Sequence, residues 1–117
     1  MGFDEGLLQR IEEAIERLNP EFNFAIANYD GKKMFGGYGV MFRGNMGIGI
    51  LGPDIIVRVG PDPYEELLKE PGVRVFDFTG KPMRGWIVVA SEYLAEDDGL
   101  DNWLKRGIRF AMSLPAK

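Results

Sequence analysis

The stretch that decides the fold is Lys32–Gly60, KKMFGGYGVMFRGNMGIGILGPDIIVRVG. Glycine recurs at 36, 37, 39, 44, 47, 49, 52 and 60, and between the glycines sit Met, Phe, Tyr, Val and Ile, residue types that suit a pleated, half-buried surface. The pattern predicts a three-stranded antiparallel meander with strands Met34–Phe42, Met46–Leu51 and Ile55–Val59. Arg43-Gly44-Asn45 and Gly52-Pro53-Asp54 are its turns, because glycine accepts positive φ and proline pre-sets φ near a turn value.

Upstream, Leu7, Leu8, Ile11, Ile15 and Leu18 recur on one helical face with Glu12, Glu13, Glu16 and Arg17 opposite, which predicts a helix from about Asp4 to Leu18. Asp4 is its expected N-cap, and Asn19-Pro20 stops it. The acidic polar face suits core packing rather than a membrane surface, where Lys and Arg are needed. Phe22, Phe24 and Ile26 alternate with Asn23 and Ala25 and read as a strand, with Asp30-Gly31 as the hairpin turn that follows.

Downstream, Asp62-Pro63-Tyr64-Glu65 reads as a capped helix start, giving a short helix over about Pro63–Glu70 that Pro71-Gly72 ends. Val73–Phe78 reads as a strand and Thr79-Gly80-Lys81-Pro82 as a turn. Gly85–Ala90, with no polar residue, reads as an interior strand. A last helix spans about Asp98–Ser113, acidic at its start and basic in its second half. The element order is α-β-β-β-β-α-β-β-α. It implies an α+β, two-layer domain over residues 1–117, with a mainly antiparallel sheet of five to six strands, two long helices on one face and one short helix.

Composition narrows the chemistry. The 117 residues contain no cysteine and no histidine, so disulfides, thiol catalysis and a Ser-His-Asp triad are excluded. No cofactor, metal site or catalytic residue is expected. The formal net charge of −4 disfavours non-specific nucleic-acid binding, which depends on phosphate neutralisation. No apolar run is long enough to span a bilayer and no signal peptide is evident, so a cytoplasmic protein without a membrane partner is expected.

Gly47-Ile48-Gly49-Ile50-Leu51-Gly52 matches G-x-G-x-x-G. No helix opens after it, so close backbone packing explains the glycines better than phosphate binding. Glu96, Asp97, Asp98 and Asp101 read as a charged helix start rather than a cation site. Asp77, between Phe76 and Phe78, is the one carboxylate in apolar sequence context. The candidate binding residues are Tyr38, Arg43, Arg58, Lys81, Arg84 and Trp86, basic or half-polar side chains of the sheet and its turns.

Lys33-Met34-Phe35-Gly36-Gly37-Tyr38-Gly39-Val40 resembles the signature of the TfoX N-terminal domain family. The resemblance continues through Ile56–Gly60, Phe76–Trp86, Trp103-Leu104 and Ala111–Pro115. It implies an α+β domain with an antiparallel sheet and supplies no catalytic residues. The family takes its name from bacterial regulators of natural competence, which act with a global transcription activator and carry a second, C-terminal domain. This chain is expected to be a stand-alone first domain. Residues and resemblance together lead to a non-enzymatic regulatory or protein-interaction domain, monomeric or homodimeric. Its partner would belong to the transcription machinery and would meet the sheet face bearing Tyr38, Arg43 and Arg58. The alternative is a sensor of a small anionic ligand near Lys81, Arg84 and Trp86.

Overall fold

Four consecutive strands form the meander, and their turns follow from local backbone chemistry. In the computed structural model, which describes residues 2–78 and 80–117, the strands are β1 (Asp30–Met34), β2 (Gly37–Phe42), β3 (Asn45–Leu51) and β4 (Asp54–Arg58). The β2–β3 turn places Arg43 and Gly44 at φ 56° and 85°, the double positive-φ geometry of a tight hairpin. Gly52 at φ 60° begins the β3–β4 turn. After a short helix α2 (Tyr64–Leu67), strands β5 (Val73–Val75) and β6 (Trp86–Val89) complete one sheet. Its order is β1-β2-β3-β4-β6-β5, with every neighbouring pair antiparallel. β6 is thus interior, and Ile87, Val88 and Val89 are all buried.

Helices α1 (Glu5–Leu18) and α3 (Asp97–Ser113) cover the same sheet face. Asp4 caps α1, its Oδ1 accepting from the Leu7 N–H at 3.0 Å. Ile11 and Ile15 of α1 and Leu100, Leu104 and Ile108 of α3 meet Val40, Ile48, Ile55, Val57 and Ile87 of the sheet in one core. Each such side chain stabilises the fold by about 1.5–3 kcal/mol through burial. The acidic start of α3 serves this packing: Asp97 pairs with Arg10 at 3.2 Å and Asp101 with Arg17 at 2.8 Å. The bond from Arg17 to the Asp101 carboxylate raises the guanidinium pKa above its usual value.

Gly47 and Gly107 explain how closely α3 approaches. A Cβ on Gly107 would lie 2.3 Å from the Gly47 carbonyl oxygen, and one on Gly47 would lie 2.7 Å from the Gly107 oxygen. Helix and strand backbones touch here, a packing role for the first glycine of the G-x-G-x-x-G run.

Four expectations need correction. Phe22–Ile26 is not a strand: Asn19–Phe22 forms a 3-10 turn, and Asn23 and Phe24 are left-handed. Their N–H groups donate back to Pro20 and Asn19 oxygens, so the donors a strand would use close the helix end instead. Of the three apolar residues, Ile26 is fully buried in the core and Phe22 packs half-buried against it, while Phe24 is 67% exposed.

Asp30-Gly31 is not the hairpin turn either. Met34–Phe42 breaks at Phe35-Gly36, both at positive φ, and Asp30 and Gly31 lie inside β1. A left-handed Phe costs roughly 1–2 kcal/mol. Its ring meets Phe76 and Phe78 edge-on at 5.8 and 5.7 Å, and two such pairs at about 0.5–1.5 kcal/mol each offset that strain.

Asp62 makes no cap. Pro63 occupies the N-cap position of α2, without a side-chain bond, so the helix begins one residue later than the capping-box spacing requires. Finally, β5 stops at Val75 because the Phe76 carbonyl turns to accept from the Met83 N–H at 3.0 Å. In the turn expected over 79–82, Thr79 lies outside the described residues.

Candidate functional site: the concave sheet face

Strand parity sends every second residue away from the helices. On that second face lie Gly37, Gly39 and Met41 of β2, Ile56 and Arg58 of β4, and Trp86 and Val88 of β6. A register shift between β2 and β3 changes the parity of β3: Val40 pairs with Ile48, but Met41 pairs with Met46. The bulge leaves Gly47 under α3 and adds Met46 to the second face.

This face is concave. β1 and β5 are opposite edges of a six-stranded sheet, about 24 Å apart if it were flat. Phe35 nevertheless meets Phe76 and Phe78, so the sheet curls and the segment after β5 folds back across it. Ile56, Phe76 and Val88 form a second small core there, flanked by Phe35 and Met83.

The rest of the concavity is an open groove of about 630 Å³. Met34, Met41 and Met46 form its floor, Arg58 and Trp86 stand at one end, and Lys32 and Lys117 are at its rim. The methionines lie low because glycines lie beneath them. A Cβ on Gly39 would come within 2.4 Å of Met34 Sδ, and one on Gly49 within 2.7 Å of Met46 Cε.

Arg58 and Trp86 are cross-strand partners. The Arg58 guanidinium carbon is 4.9 Å from the Trp86 ring centroid and 5.2 Å from that of Phe110 on α3. Its Nη1 donates to the Met46 carbonyl at 3.5 Å, and among the described residues it has no carboxylate partner. Burial pushes the guanidinium pKa below its usual value, with no opposing charge to restore it. A guanidinium stacked on aromatic rings stays cationic and keeps its in-plane donors for an external acceptor.

The other candidate residues are placed differently. Tyr38 is on the helix face, packed on Phe3 with ring centroids 5.2 Å apart. Arg43 sits in the β2–β3 turn and donates to the Met112 carbonyl at 3.3 Å. Tyr38, Arg43 and Arg58 therefore do not share a face, because Tyr38 and Arg58 have opposite strand parity. Arg84 pairs with Glu65 at 3.2 Å beside the Tyr64 ring, away from Trp86, and Lys81 is exposed in the β5–β6 loop. Lys81, Arg84 and Trp86 do not converge. Asp77 is also exposed. Among the described residues no three His, Cys, Asp or Glu side chains are grouped to hold a metal ion, and no helix is long and apolar enough to cross a membrane.

A family model described as the TfoX N-terminal domain matches residues 23–111. The chain belongs to the TfoX N-terminal domain family. No curated protein and no solved structure matches it. The TfoX N-terminal match spans all six strands and most of α3. The Met34, Met41 and Met46 floor and the Arg58, Trp86 and Phe110 cluster thus lie inside it, while α1 precedes it.

The sequence reading named Arg58 and Trp86 but missed the methionines and Phe110. Period-two alternation in β2 carries a signal for Met41 beside Gly37 and Gly39. For Met46 the bulge erases that signal, and Phe110 joins Arg58 only through tertiary packing.

Proposed function

We propose that the protein is a non-enzymatic regulatory domain that binds a protein partner in the concave sheet face. The observation that carries this reading is Arg58, a half-buried cation between two aromatic rings, with no carboxylate partner and at the end of a methionine-lined groove. A desolvated, unpaired charge lowers stability on its own, so its presence on a groove wall is understandable if an occupant completes it. Methionine floors adapt to differently shaped partners. The absence of cysteine and histidine supports a binding role over catalysis. The family's regulators of competence act with a transcription activator, which supports a cytoplasmic partner from the transcription machinery.

The test is photo-crosslinking in cells with a benzophenone side chain at Met34 on the groove, compared with the same group at Glu13 on the exposed side of α1. A discrete adduct from position 34 that position 13 does not give is the expected result. No adduct, or the same adducts from both positions, would reject the reading.

A further inference from the structure

We infer that the groove takes an acidic, apolar segment of a protein partner, with a carboxylate on Arg58 and long apolar side chains on the methionine floor. This inference rests on the docking role proposed above and assigns the chemistry of the occupant.

Charge is the first ground. The side chains of the molecule as a whole sum to −4, yet among the charged side chains of the residues lining the groove Lys32, Arg58 and Lys117 stand against the single carboxylate of Asp30. Arg10, Arg17, Arg74 and Arg84 each pair with an Asp or Glu of the chain. Arg43, Arg58, Arg106 and Arg109 have no such pair among the described residues, and of these four Arg58 is the one whose guanidinium loses hydration by burial and lies against two aromatic rings at the groove. Its guanidinium carbon lies 4.9 Å from the Trp86 ring centroid, and the N–H donors not directed at the Met46 carbonyl match a carboxylate in a paired, planar arrangement.

Shape and softness are the second ground. A groove of about 630 Å³ accommodates several side chains, more than an isolated anion needs. Its floor is thioether rather than polar. Methionines rest directly over Gly39 and Gly49, and the unbranched thioether chain adapts to an occupant by rotamer change rather than backbone movement. A purely acidic ligand would leave that floor uncovered, and a purely apolar one would leave Arg58 unsatisfied.

The experiment is fluorescence anisotropy of the purified full chain with a fluorescein-labelled peptide alternating Glu with Leu. Two further peptides replace Glu by Lys or Leu by Ser. The Glu/Leu peptide is expected to bind. Both substituted peptides should bind at least roughly tenfold more weakly, and Arg58→Leu should weaken the Glu/Leu peptide by roughly ten- to a hundredfold, the usual loss for a hydrogen bond to a charged group. Gly39→Ala supplies a variant that keeps every charge. Its Cβ drives Met34 upward from the floor, so it should also weaken binding while circular dichroism stays unchanged.

Equal binding of the Lys/Leu peptide overturns the carboxylate assignment, and equal binding of the Glu/Ser peptide overturns the apolar one. Displacement by free glutamate at the peptide's own concentrations would point to a small carboxylate and reject the segment. A groove-specific crosslink in cells without Glu/Leu binding would overturn this chemistry and leave the docking role standing. Failure of both would remove both.

Discussion

Gly107→Ala tests the backbone contact between α3 and β3. In an unobstructed helix this change gains about 1 kcal/mol. Here the new Cβ would sit 2.3 Å from the Gly47 oxygen, 3.1 Å from the Gly47 carbonyl carbon and 3.2 Å from Ile48 Cγ1. The first is about 1 Å shorter than an ordinary carbon–oxygen contact. The obstructing atom is main chain, so no rotamer change relieves it and α3 must retreat. Overpacking of this kind costs about 1–3 kcal/mol. A gap near 1 Å under Leu104, Ile108 and Ala111, all fully buried, also forfeits a quarter to a half of their dispersion contacts. Net of the helix gain, a loss of about 1–3 kcal/mol is expected. It should appear as a lower urea midpoint followed by fluorescence of Trp86 and Trp103, and as a fall of roughly 5–15 °C in Tm. Gly6→Ala is the control: its nearest neighbour is the Asp4 side chain at 3.2 Å, and it should be neutral or stabilising by up to about 1 kcal/mol. Wild-type stability or better in Gly107→Ala would refute the close-contact reasoning.

Two further changes probe the frame. Asp4→Ala removes the acceptor for the Leu7 N–H and should cost about 1 kcal/mol in chemical denaturation; an unchanged midpoint would show the cap to be inert. Asn45→Ala leaves the Pro115 carbonyl without the 3.0 Å bond it now accepts from a buried side chain. A loss of about 1–3 kcal/mol is expected, with faster proteolysis of the segment after Ser113, whereas protection equal to wild type would assign that segment's hold to the Lys117–Arg43 backbone bond alone.

The meander was legible because its turns are chemically explicit: Arg43-Gly44 and Gly52-Pro53 announce themselves, and β2 to β4 fall where hydrophobic alternation puts them. The first hairpin was not, because two local signals competed. Asp30-Gly31 is the stronger turn sequence, but the chain turns at Phe35, whose strain is offset by rings more than forty residues away in the sequence. Distant partners of that kind leave no trace in a local window. The concave face shows the same division. Arg58 and Trp86 stood out as residue types, whereas their pairing depends on β6 lying beside β4, and the methionine floor depends on a bulge.

The strand order also has a consequence for how the chain assembles. β5 precedes β6 in the chain but meets the sheet only through it, so neither strand joins the sheet until β6 has paired with β4. During that interval β4 is a temporary edge, and its centre is Ile55-Ile56-Val57. The permanent edge β1 carries Lys32 and Lys33, which discourage strand addition; the centre of β4 has no such guard. A newly made chain is therefore most open to mispairing in the middle of its sheet, at a strand the finished fold hides on both sides, and the speed with which β6 arrives sets how long that opening lasts.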